Sequence, residues 1–232
     1  MKVVAGRIRL SATDLANHVA CRHLTALDRA VAEERLAPPE STAWLPASMQ
    51  QRGEAHERAY VDYLRSTHAQ VVDLRDCRFD TDGFRAVRDA MHSGADILLQ
   101  APLGDEQWIG RADILRRVER PSRLGAWAYE PADTKLARET RASAILQLCA
   151  YADMLAAIQG ERPELMHVVS PGRPFIERPY RVDDFFAYFS LVRHHLLAFL
   201  EADAVSHTYP DPVAHCEILP MDEHMWTPAP SG

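Results

Sequence analysis

Hydrophobic positions along this chain change period several times, and each change predicts an element. Helical spacing starts in "DLANHVA", where Ser11 or Thr13 serves as the N-cap, and resumes at Leu24, Leu27 and Val31. The segment "LAPPESTAWLP" reads as a proline-rich loop, and "ASMQQRGEAHERAYVDYLRS" as a helix. A short strand, "AQVVDL", precedes a capped helix in "TDGFRAVRDAMHSG", which Gly94 stops. Three strands follow in "ADILLQAP", "QWIGRADILRRV" and "LGAWAYEPADTK". A long helix covers residues 139–159, "ELMHVVS" and "PFIERPYRV" are two more strands, and "DDFFAYFSLVRHHLLAFLEA" is a last helix. From Thr208 the chain is rich in Pro, His and Met and has no period. This order predicts one mixed α/β domain whose central, mixed sheet is flanked by helices.

Composition adds little to that picture. The chain has 232 residues, 47% of them hydrophobic and 25% charged, as a globular protein does. No run approaches the ~18 apolar residues that span a bilayer. The N-terminus lacks an apolar signal core, so the expectation is a cytoplasmic protein without a membrane partner. Four scattered cysteines, Cys21, Cys77, Cys149 and Cys216, form no C-x-x-C pair and read as thiols; Cys149 reads as core packing. A formal charge of −7 means that any nucleic acid must be met by a local basic patch, with acids left over for metal.

The candidate chemistry lies in the strands. Residues i and i+2 of a strand share a face, so Asp133 pairs with Lys135, and Arg111 with Asp113. If the two strands are neighbours, Asp113, Asp133 and Lys135 converge. Two carboxylates suit Mg²⁺ or Mn²⁺, and a lysine beside them orients water or offsets developing charge.

These residues carry a resemblance. "GRADIL", then "DTK", then "QLCAYADML", with His56 upstream in "RGEAHERAY", resembles the RecB-like branch of the PD-(D/E)XK nucleases, a group related to CRISPR-adaptation exonucleases. The resemblance covers roughly residues 10 to 217. It implies a restriction-endonuclease-like core in a nuclease domain over 1–217, followed by a divergent, poorly ordered tail over 218–232. It further implies a Mg²⁺/Mn²⁺-dependent deoxyribonuclease acting on single strands or ends. DNA would be its partner, and a helicase or other repair protein a possible second one. Its metal ligands would be His56, Asp113, Asp133 and the Thr134 carbonyl, with Lys135 positioning the attacking water. Gln147 and Tyr151, one helical turn apart, would face the DNA backbone with Arg111 and Arg138.

Two departures stand out. Pro131 and Ala132 replace the usual β-branched residues before Asp133; a bulge there would alter which way Glu130 points, which leaves Glu130 open as an extra site residue. Relatives often hold a four-cysteine iron–sulfur cluster; Cys21 and Cys216 match two places, but Leu219 stands where the third is expected. Two thiolates cannot hold such a cluster, so none is expected here. The rival reading is a nuclease-fold module without activity that binds DNA or docks a protein. His194, His195 and the histidines of the tail match no zinc motif.

Overall fold

The computed structural model describes residues 1–4, 6–38, 47–137 and 139–202. Arg138, Cys216 and the 218–232 tail lie outside the described residues. Six strands form one sheet in the order β3 (Val71–Asp73), β4 (Ile97–Gly104), β5 (Ile109–Val118), β6 (Ala128–Thr134), β7 (Leu165–Ser170) and β8 (Ile176–Arg181). The β3–β4 and β6–β7 pairs are parallel and the others antiparallel. The sheet is therefore mixed, and helices flank it, as the order of elements predicts.

Each face has its own core. Tyr60, Val61 and Leu64 of α3 (Ala47–Thr67) meet Ile97, Leu99, Ile114, Ala132 and Val169 on one face. The other face packs against α1 (Ala12–Ala20), α4 (Thr81–His92), α5 (Ala142–Gln159) and α6 (Asp183–Glu201), and holds Leu98, Leu103, Ala112, Leu115 and Val168. Helix α5 is the crossover between the parallel strands β6 and β7. It is long and apolar enough to cross a membrane by length and composition, contrary to the expectation of no such segment. Most of it is buried inside the fold, which accounts for that composition.

Local signals set the boundaries. Ser11 is the N-cap of α1; its N–H and Oγ donate to Asp14 Oδ2 at 2.7 and 2.9 Å. The expected spacing at Leu24, Leu27 and Val31 falls in α2 (Arg22–Ala32). Gly94, at φ +75°, takes the left-handed position that ends α4. β6 begins later than "LGAWAYEPADTK" suggests, because Ser122 and Gly125 exchange backbone hydrogen bonds in a tight loop. The α5 helix likewise starts at Ala142 rather than at residue 139. Periodicity does not predict the hairpin of β1 (Lys2–Val4) and β2 (Arg7–Arg9), because three-residue strands carry too little alternation to register.

β4 and β5 contain an irregularity that positions the site. Ile97 and Leu99 face the α3 side, yet Leu103, four residues beyond Leu99, belongs to the α5 side. On β5 the same inversion separates Ile114 from Ala112. Between them stands Gln100, at φ +52°. A non-glycine residue in that region costs ~1–3 kcal/mol and persists only where its surroundings hold it. Gln100 and Asp113 thus mark the point where the pleat reverses.

Candidate active site

Asp113 of β5 lies opposite Asp133 of β6, one step beyond the paired residues Ile114 and Ala132. The two carboxyls are near enough to hydrogen-bond when Asp113 is protonated. Asp133 is 1% exposed, and its Oδ2 is 2.7 Å from Lys135 Nζ. With both acids ionised, no described residue donates a hydrogen bond to Asp133 Oδ1. A buried carboxylate oxygen without a donor is costly.

That cost appears on Asp113. Burial, the hydrogen bond to Asp133 and the negative charge of Asp133 together hold its carboxyl well above the usual range. Lys135 opposes the shift, and Glu57 of α3 adds to it. Gln100 Nε2 bridges the acids, donating to Glu57 Oε1 at 2.8 Å and to Asp113 Oδ1 at 3.3 Å. The sequence marks neither Gln100 nor Glu57. Nothing in an otherwise regular strand such as "ADILLQAP" signals a left-handed residue. A second acid beside His56 looks like ordinary helix-surface charge.

The chemistry of this donor set fits a hard divalent cation. Mg²⁺ commonly takes one or two carboxylates and completes its shell with water and substrate phosphate. Asp113 and Asp133 supply two carboxylates, one with an oxygen lacking a donor. Thr134 follows directly and pairs with Val169 of β7. His56 does not complete a ligand set as its ring stands. Its Nε2 lies 3.2 Å from the Val169 carbonyl, which also accepts from Lys135 N at 2.9 Å. Among the described residues no three His, Cys, Asp or Glu side chains form a group able to hold a metal.

Tyr151 of α5 feels the negative charges of Asp113 and Asp133, and Gln147 stands one turn before it. Gln147 Nε2 donates to the Tyr151 hydroxyl at 3.1 Å, and that hydroxyl donates to the Arg111 carbonyl at 2.8 Å. Gly110 makes room for the ring: a Cβ there would meet Tyr151 Cε1 at 2.7 Å. Burial raises the pKa of the Tyr151 phenol, which therefore stays a neutral donor.

One expected assignment changes, and one open candidate is placed elsewhere. Arg111 does not present its guanidinium to a phosphate. Its Nη1 donates to the Gln100 and Leu74 carbonyls at 2.7 and 3.1 Å, and its Nη2 to the Cys77 carbonyl at 2.7 Å. The side chain also lies over the Phe79 ring. Arg111 is a brace under the bent part of the sheet. Glu130 likewise turns away from the site. Pro131 has no N–H for the ladder, and the β6–β7 pairing starts only at Ala132. Glu130 fills the gap, accepting from Leu165 N at 3.1 Å and meeting His167 Nε2 at 3.0 Å. Cys21 is a partly buried free thiol at the junction of α1 and α2. Its approach to Cys216, like the role of Arg138, falls outside the described residues. The sequence matches no protein-family model and no curated protein.

Proposed function

We propose that this chain is a RecB-like PD-(D/E)XK nuclease that hydrolyses DNA phosphodiester bonds in the cytoplasm with Mg²⁺ or Mn²⁺. One observation carries the reading: Asp133 is buried against Asp113, one of its oxygens lacks a donor, and Lys135 touches the other. A fold that only needed an ion pair would not bury a second acid against it, because the extra charge is left uncompensated. The cation would be held by Asp113 and Asp133, with the Thr134 carbonyl, and with His56 once its Nε2 leaves the Val169 carbonyl. A divalent ion held there would supply Lewis-acid chemistry for the phosphate and the attacking water. Lys135, released from Asp133, turns its ammonium toward the attacking water and the phosphate. Gln147 offers its carboxamide to the strand, and Tyr151 fixes the height of β5 beneath it. A helicase or another repair protein is the further partner this reading implies.

The alternative, a nuclease-fold module for DNA binding or docking, draws on one observation: His56 is engaged elsewhere and, among the described residues, no three-residue ligand group is formed. Cleavage of labelled single- and double-stranded oligonucleotides, with Mg²⁺, Mn²⁺ or chelator, separates the two. Metal-dependent cleavage lost in Asp113→Asn is the expected result. No cleavage with either ion, together with no Mn²⁺ binding by calorimetry, overturns the proposal in favour of the module.

A further inference from the structure

A cavity of about 290 Å³ opens between the β1–β2 hairpin, the start of α1, and Gln147 and Tyr151 of α5. Gly110, Gln147 and Tyr151 form the wall it shares with the candidate site. Lys2 and Arg9 line the opposite wall. Those two cations are directly opposed in the antiparallel hairpin. Like charges in that position repel and weaken a strand pair. Among the described residues neither has an acidic partner, whereas Arg7 on the same strand as Arg9 pairs with Glu106 at 3.1 Å. The one carboxylate in the cavity, Asp14, is already engaged by Ser11 and by the Met1 amine. Two opposed cations without a counter-charge face a cavity whose far wall includes Tyr151, a residue that feels the charges of Asp113 and Asp133; they fit an anion that the protein itself does not provide.

We infer that Lys2 and Arg9 form a phosphate-binding subsite for the nucleic-acid strand that is cut at Asp113 and Asp133. The inference rests on the nuclease reading for its ligand. The subsite assigns to the hairpin the phosphate recognition that Arg111, occupied by three carbonyls, does not provide. It also gives the hairpin a reason to keep its unfavourable pair: an anion held between the two cations converts a repulsion into a shared attraction.

Lys2→Glu tests this without confusing binding with folding. The change places opposite charges across the hairpin, so the melting temperature should hold or rise while the subsite loses its anion. Salt titrations of a fluorescein-labelled single-stranded oligonucleotide, without divalent metal, should show a log K against log[salt] slope shallower by about 0.7 for each phosphate that is no longer neutralised. Mn²⁺ affinity by calorimetry should not change, and cleavage should show a raised KM at near-normal kcat. Arg9→Gln should reproduce the loss with a smaller charge change. Equal losses with 5′-phosphorylated and 5′-hydroxyl oligonucleotides assign the subsite to an internal diester; loss only with the former assigns it to a terminal phosphate. Unchanged slope and KM in both variants overturn the subsite and leave the nuclease reading standing. Wild-type protein that binds the oligonucleotide through this pair but cuts nothing keeps the subsite and overturns the nuclease reading. Wild-type protein that binds no oligonucleotide overturns the subsite.

Discussion

Asp113 and Asp133 meet across β5 and β6 so closely that one proton between them is the cheapest arrangement in the absence of a cation. The folded chain therefore keeps a proton on Asp113 that the unfolded chain releases above the ordinary carboxylate value near 3.8. The raised pKa stabilises the fold fully below that value, and the contribution is lost as pH rises through the folded-state pKa. Thermal melts in metal-free buffer should show this decline. Asp113→Asn should raise the melting temperature at neutral pH and flatten its pH dependence. An Asn variant less stable than wild type at pH 7 would contradict the strain assigned to this pair.

Metal should reverse that ranking. A cation bound only by the folded state adds RT ln(1 + [L]/Kd), about 2.7 kcal/mol at a hundredfold excess over Kd. Saturating Mn²⁺ should stabilise wild type and leave Asp113→Asn nearly unchanged. Melts with and without Mn²⁺ decide this.

Lys135→Ala separates binding from chemistry. The variant removes an ammonium 2.7 Å from Asp133, so Mn²⁺ should bind at least as tightly. Single-turnover cleavage should fall by roughly 10²–10³. Normal cleavage in Lys135→Ala would make the lysine a structural counter-ion.

Arg111→Lys should act on stability. An ammonium cannot reach three carbonyls arranged for a guanidinium, and hydrogen bonds to a charged group are each worth ~1.5–3 kcal/mol. Urea melts should show a loss of at least that size, while the salt slope for oligonucleotide binding stays that of wild type.

Glu130→Ala should also destabilise, by ~1–3 kcal/mol, because it strands the half-buried Leu165 N–H and the buried His167 ring. Below its melting range the variant should cleave as wild type does. Loss of cleavage without loss of stability would return Glu130 to the site.

The one-dimensional pattern carried much of this protein. The spacing of Asp133 and Lys135 placed the two charges together, because strand alternation is a local property of the backbone. Motif order also placed Asp113 and Asp133 on neighbouring strands, and helical spacing set Gln147 and Tyr151 one turn apart. Other outcomes depended on groups distant in sequence. Arg111 shares its strand with Asp113, but carbonyls of Leu74, Cys77 and Gln100 claim its guanidinium. His56 meets the Val169 carbonyl of β7, and its ring direction is decided there and by Phe175, whose ring centroid lies 5.8 Å from its own. Glu130 turns to β7 because Pro131 interrupts the ladder there. Gln100 adopts a left-handed backbone that its residue type disfavours, held by Glu57 from a helix 43 positions earlier and by Asp113 from the next strand. Periodicity decides which side of an element a residue occupies. Which partner it then meets depends on hydrogen-bond groups brought in by other strands and helices, and only the folded chain brings those together.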